Sequence, residues 1–171
     1  LNLSNPPKFI WANSSQQARE IVSSETEVDM IICMFNEQDK GIFPFASELK
    51  EEGRGIPFVL LIHYSKAVRQ RVLESPRPGV DFVFSWHGNA DLILAIVKLL
   101  EDAANADNDV FEVGVKGILL VEDSIRYYSN YLPELYKIVL TQSREFLKES
   151  LNEDQKKYRK RSRPKIFLAT C

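Results

Sequence analysis

The chain has 171 residues, of which 44% are hydrophobic and 27% are charged, and its formal net charge is −2. This composition is ordinary for a globular protein, and so small a net charge gives no general attraction to nucleic acid. No apolar run approaches the ~20 residues needed to cross a bilayer, and the opening LNLSNPPKF has no basic segment followed by an apolar one. Two cysteines, Cys33 and Cys171, form no disulfide framework. The sequence therefore predicts a cytoplasmic protein that binds neither membrane nor nucleic acid.

Short apolar runs alternate with helix-favouring segments from residue 8 onward. The predicted strands are KFIWA (8–12), MIICMF (30–35), FVLLIHY (58–64) and DFVFSW (81–86), and the predicted helices cover residues 15–23, 43–53, 65–75 and 90–101. Strands that are apolar throughout are typical of parallel sheets buried on both faces. The alternation predicts an α/β fold with a doubly wound parallel sheet.

The composition changes to Ala, Asn and Asp over residues 102–109, which predicts a connector. Beyond it come a strand, GILLV (117–121), a helix from Ser124 to about Arg161 that Pro133 is expected to kink or restart, and a strand, KIFLA (165–169). The similar segments PPKFIWAN and RPKIFLATC suggest an internal duplication. We predict an α/β domain over residues 1–102, a connector over 103–116, and a strand, long helix and strand over 117–171. This last part either begins a second copy of the domain or completes the first sheet.

Three strand ends carry a resemblance to a known family. DMIICM, IPFVLLIHY and GVDFVFSW resemble the last three strands of a two-component receiver domain, whose fold is flavodoxin-like, so the resemblance covers residues 29–101. In that family the first of these strands ends in the phosphoryl-accepting aspartate, the second in a Ser or Thr and the third in a lysine. The matching residues here are Met34, Ile62 and Trp86. The resemblance therefore implies a degenerate receiver that signals without catalysis.

Each of these replacements removes a different chemical contribution: the nucleophile, a hydroxyl that follows the phosphoryl oxygen, and a neutralising cation. We therefore expect no phosphorylation in residues 1–101. Nothing in the sequence positions a nucleophile beside a base, so we expect no enzyme. His63 and His87 have no further metal ligands at suitable spacing, and no glycine-rich phosphate loop follows a strand, so we expect no cofactor.

The acidic pair Glu122 and Asp123 follows the GILLV strand. VEDS resembles the receiver motif whose acids hold Mg²⁺, while the same acids also suit the start of the helix that follows, where the helix dipole favours negative charge. Without an acceptor in this chain, the second interpretation is the better one. The alternative function is a phospho-accepting receiver that uses Glu122 and Asp123 for Mg²⁺ with an acceptor aspartate beyond Cys171.

The string from GVKGILLVEDS to SREFL, with FSWHGNADLILAIVKLLEDAANA before it, has a wider resemblance. It resembles the receiver-like N-terminal region of bacterial proteins that carry a phosphoenolpyruvate synthase or pyruvate phosphate dikinase type of domain downstream. This implies a regulatory front end of a larger phosphotransfer-type protein. Its partner would be another protein or a downstream domain of the same polypeptide.

The receiver-like part lacks its own first strand, which receivers place in the middle of the sheet. We expect residues 117–121 to fill this place beside residues 30–35, either within one chain or by strand exchange in a homodimer. The long helix is a second route to a homodimer, because residues 141–158 exceed what one domain covers. The basic run at residues 156–165 is expected to be a solvated helix end.

Overall fold

The computed structural model describes residues 8–24, 27–63, 65, 70, 72, 76–148 and 163–170. The chain divides into two compact units, residues 1–83 and 84–171, with the division inside one strand. The predicted helix at residues 65–75 lies largely outside the described residues, as does the predicted helical segment at residues 149–158.

The first unit is an α/β arrangement built on a three-stranded parallel sheet with strand order β1-β2-β3. Residues 58–62 of the central strand are at most 3% exposed, which makes this strand the centre of the core. The elements are α1 (Ser15–Ser23), β1 (Ile31–Met34), α2 (Ile42–Glu51), β2 (Phe58–His63) and β3 (Phe82–Trp86). The sequence prediction of an α/β fold with a parallel sheet is confirmed.

Local polar contacts fix the two helices of this unit. Ser14 begins α1, because its side chain accepts a hydrogen bond from the backbone N–H three residues later. The Asp39 carboxylate accepts hydrogen bonds from the Ser15 N–H at 2.8 Å and from its hydroxyl at 2.7 Å. Arg19 Nε lies 2.6 Å from Glu48 Oε2, which joins α1 to α2.

The second unit contains a strand, helix and strand in which the two strands are parallel neighbours. Gly117 lies opposite Lys165, and the register continues to Val121 opposite Ala169. Helix α3 packs against α4 and β5. The elements are α3 (Ala90–Ala104), a π-helical turn (Asp107–Glu112), β4 (Gly117–Val121), α4 (Ile125–Lys148) and β5 (Lys165–Ala169).

One face of α4 forms the core of this unit. The Phe84 ring meets Tyr128 edge-on at 5.4 Å between centroids, and Ser129 Oγ accepts a hydrogen bond from the Ser85 N–H at 2.9 Å. The helix continues through Pro133, so the expected restart there does not occur. The side chains of this face are buried at spacings of three and four residues: Ile125, Tyr128, Leu132, Tyr136 and Val139.

Three sequence predictions differ from the structure. Residues 8–12 form no strand, because no described strand pairs with this segment. Trp11 in this segment is 82% exposed. Gly117–Val121 pairs with β5 in a two-stranded sheet, and among the described residues it does not pair with Ile31–Met34 of the same chain. The alternative of strand exchange in a homodimer stays a prediction. Residues 102–109 do more than connect two elements. Asp102 and Asp109 are buried, and each forms an ion pair with a cationic side chain.

Candidate functional site

The first candidate site comprises the three strand ends that the sequence resemblance singles out. Met34 is the last residue of β1 and is 39% exposed, while Ile62 lies one residue before the end of β2 and is fully buried. Trp86 is the last residue of β3 and is half-buried. These side chains are a thioether, a hydrocarbon and an indole. None of the three supplies an oxygen nucleophile, a hydroxyl or a cation.

Cys33 precedes Met34 and is the nearest alternative nucleophile along β1. Its burial, together with the negative charge of Asp39, raises the pKa of the thiol to about 11. The thiol is therefore protonated at neutral pH, whereas the nucleophile in cysteine chemistry is the thiolate. Cys33 does not replace the missing acceptor.

Asp39 follows β1, and both of its carboxylate oxygens accept hydrogen bonds. Hydrogen bonds from the side chain and backbone of Ser15, with a further one from the Gly41 N–H at 3.0 Å, lower the pKa of this carboxyl. Asp39 therefore connects the start of α1 to the start of α2. This arrangement serves the local fold and leaves the carboxylate committed to backbone donors.

Glu122 and Asp123 lie between β4 and α4, as the sequence indicates. The Glu122 N–H continues the sheet by donating to the Ala169 carbonyl at 3.1 Å, and its Oε1 accepts the Ser124 N–H at 3.0 Å. Asp123 is exposed. The Glu122 carboxylate thus accepts a hydrogen bond from a backbone N–H just before α4, where the first N–H groups of a helix have no partner within the helix. Among the described residues, no group of three or more His, Cys, Asp or Glu side chains could hold a metal ion.

The densest polar cluster surrounds Asp102, which is 1% exposed on α3. Oδ2 accepts hydrogen bonds from the Tyr136 hydroxyl at 3.0 Å, from Arg163 Nη1 at 3.0 Å and from the Ile166 N–H at 2.9 Å. Oδ1 accepts from Arg163 Nη2 at 2.5 Å. One carboxylate thus joins α3, α4 and β5. We call Asp102, Tyr136, Arg163, Lys165 and Asp109 the Asp102 cluster.

Charges balance within the Asp102 cluster. Lys165 Nζ lies 2.6 Å from Asp109 Oδ2, so two carboxylates face two cations. Burial alone would lower the pKa of Arg163, but hydrogen bonding and attraction to Asp102 outweigh it and raise that pKa. Burial and the neighbouring Asp102 raise the pKa of Tyr136, which keeps its hydroxyl protonated as a donor.

Both oxygens of Asp102 accept hydrogen bonds from protein donors, so this carboxylate connects α3, α4 and β5. The Asp102 cluster is not among the sites predicted from the sequence. A signal was nevertheless present: Asp102 continues the buried stripe of α3, which the structure forms from Leu92, Ile96 and Leu99. An acid on an apolar stripe indicates a buried, paired carboxylate.

The histidines do not complete either site. His63 ends β2 and His87 follows β3, and both are exposed. Comparisons with protein-family models, curated proteins and solved structures give no significant match. In the part of the chain that the structure describes, no helix combines the length and apolar character needed to span a bilayer.

Proposed function

We propose that this chain is a degenerate receiver, a regulatory module without catalytic activity that acts by docking to a protein. The observation that carries the proposal is the chemistry of Met34, Ile62 and Trp86 at or next to the ends of parallel strands. Phosphoryl transfer needs a nucleophile and groups that stabilise developing charge. A thioether, a hydrocarbon and an indole supply neither.

The fold supports a flavodoxin-like receiver as the parent architecture. In flavodoxin-like sheets the third, fourth and fifth strands are neighbours in chain order. The strands β1, β2 and β3 are neighbours in the same order. We place this module at the front of a larger phosphotransfer-type protein in the cytoplasm.

Exposed apolar side chains support docking as the mode of action. Large apolar side chains outside the core are at least 46% exposed at seven positions of the second unit: Phe111, Val113, Leu119, Val121, Tyr127, Tyr131 and Ile138. Groups of exposed apolar residues are typical of protein interaction sites. The partner is another protein chain or a downstream domain of the same polypeptide.

Intact-mass analysis after incubation with acetyl phosphate and Mg²⁺ tests the proposal. We expect no phosphoryl adduct on the wild-type chain, with a working receiver modified under the same conditions as the positive control. A Mg²⁺-dependent adduct would overturn the proposal. The phospho-accepting alternative needs the same measurement on a chain that continues beyond Cys171, where an adduct that disappears in the double variant Glu122→Gln, Asp123→Asn would support it.

A further inference from the structure

β1 and β4 are among the strands that lie at an edge of their sheets. β1 has β2 on one side and β4 has β5 on one side, and within the described ranges neither strand has a second neighbour. An edge of this kind presents backbone donors and acceptors that can pair with another chain. We propose that β4 of one chain pairs in parallel with β1 of a second copy, and reciprocally, to form a symmetric dimer. This inference rests on the proposed docking function and names its partner.

Existing hydrogen bonds define which backbone groups of β1 face outward. The N–H groups of Ile31 and Phe35 donate to the β2 side at 2.9 and 2.7 Å. In a parallel ladder, successive residues direct their backbone groups to opposite sides of the strand. The N–H and C=O groups of Ile32 and Met34 therefore point to the open edge.

The same reasoning applies to β4. The Lys116 carbonyl accepts a hydrogen bond from β5 at 2.9 Å, and the Glu122 N–H donates to β5 at 3.1 Å. The intervening residues Gly117, Leu119 and Val121 consequently direct their backbone groups away from β5. Each open edge has alternating donors and acceptors at the spacing of a parallel ladder.

This alternation restricts the register of the proposed pair. Leu119 is placed opposite Cys33, so that its N–H meets the Ile32 carbonyl and its carbonyl meets the Met34 N–H. The five residues of β4 then align with residues 31–35. A shift by one residue is excluded, because it would bring together backbone groups that point away from each other.

Side-chain exposure marks the same two strands. Leu119 is 64% exposed and Val121 is 59% exposed on β4, and Met34 is 39% exposed on β1. Strands of parallel sheets are normally buried on both faces, as residues 58–62 of β2 are here. Pairing of β4 with β1 removes part of this apolar surface from water on both strands.

Charge at the amino ends of the strands favours the parallel direction. Lys116 precedes β4 and Asp29 precedes β1, and both are exposed. Parallel pairing brings this cation and this acid to the same end of the new ladder. Antiparallel pairing would instead bring Asp29 towards Glu122 and Asp123, where like charges repel.

The combined sheet has a recognised strand order. It runs β5-β4 from one chain and β1-β2-β3 from the other. With β4 counted as the first strand and β5 as the second, this is the order 2-1-3-4-5 of flavodoxin-like sheets. The dimer would therefore contain two complete five-stranded sheets, each shared by two chains.

The mass of the full chain in solution is the first test, measured by size-exclusion chromatography with light scattering. We expect a dimer, and we expect Leu119→Pro to weaken it at least about tenfold, because proline removes an outward N–H while the bonds to β5 remain. The matched control is Ile138→Lys, since Ile138 is 54% exposed on α4 and away from the edge. This variant should remain dimeric. A monomeric wild-type chain would overturn the inference.

A cross-link tests the register and does not depend on the proline variant folding. In a Cys171→Ser background, Leu119→Cys is expected to form a disulfide with Cys33 of another chain on mild oxidation, because neighbouring strands bring the two Cα atoms within bridging distance. Cys33→Ala should abolish the covalent dimer. A disulfide within a single chain, or no disulfide dependent on Cys33, would contradict the proposed pairing.

The degenerate receiver and the strand-exchanged dimer can be disproved independently of each other. A chain that is monomeric and takes no phosphoryl group would remove the strand-exchanged dimer and leave the degenerate receiver standing. A phosphoryl adduct would remove the degenerate receiver whatever the mass of the chain.

Discussion

Asp102 shows how one residue joins three elements of the second unit. A buried carboxylate is costly unless it is paired and hydrogen-bonded, and Asp102 accepts bonds from Tyr136, Arg163 and the Ile166 N–H. Because Arg163 and Ile166 are distant from Asp102 along the chain, the cluster forms only when α3 and β5 have come together. The hydrogen bonds of the Asp102 cluster therefore depend on the tertiary fold.

We expect Asp102→Asn to lower the free energy of unfolding by about 3–5 kcal/mol, because it leaves buried cations without their carboxylate partner. Urea denaturation followed by circular dichroism measures this loss. Asp107→Asn is the matched control, since Asp107 is exposed nearby and its substitution should change stability by less than about 0.5 kcal/mol. Equal midpoints for the two variants would contradict the role assigned to Asp102.

Cys33 gives a prediction about pH. Its pKa is raised from 9.0 to about 11 in the folded chain, so folding is favoured by the neutral thiol below pH 9 and this contribution is lost as the pH rises from 9 towards 11. In a Cys171→Ser background, the rate of alkylation by iodoacetamide should keep rising with pH to about 11. In urea the rate should level off near pH 9. The same pH profile in both states would contradict the assigned burial.

The elements that the sequence predicted best are those whose pattern is set locally. The apolar run of β2 and the Ser14 cap of α1 need little information from elsewhere. The strand predicted at residues 8–12 does not form, and Gly117–Val121 pairs with β5 within the chain, because strand pairing depends on which neighbour the tertiary fold provides. The positions of Met34 and Trp86 at strand ends could be predicted, whereas the Asp102 cluster joins residues too far apart in sequence.

The turn before β3 gives a prediction at the scale of elements. Gly79 has φ +78°, and a Cβ there would lie 2.1 Å from the Ala46 carbonyl oxygen of α2. Gly55 has a similar φ of +66° but open space around it, so it is the matched control. Gly55→Ala should cost about 1–2 kcal/mol of strain.

Gly79→Ala should cost more than Gly55→Ala by about 1–3 kcal/mol, because α2 must also move away from the turn. Thermal unfolding of both variants measures the difference. A cost for Gly79→Ala no greater than that for Gly55→Ala would show that the close approach to Ala46 does not limit this turn.

At the scale of the whole molecule, the chain divides into two compact units. The sequence predicts that α3 belongs to a domain over residues 1–102. In the structure the chain divides between Val83 and Phe84, so α3 lies in the second unit. There it packs against α4 and β5. The sequence pattern indicates that α3 is apolar on most faces, but it does not show which elements cover them.

A chain ending at Ala106 tests this assignment, because it keeps α3 and removes α4, β5 and all the side chains that bind Asp102. The buried residues Leu92, Ile96 and Leu99 each contribute about 1.5–3 kcal/mol when fully covered, so the shortened chain should unfold at a lower urea concentration and bind a hydrophobic dye. Asp102→Asn should then change its stability by less than about 0.5 kcal/mol, since the partners of the carboxylate are gone. A shortened chain as stable as the full one would place α3 with the first unit. A large effect of Asp102→Asn in the shortened chain would show that Asp102 has partners before Ala106.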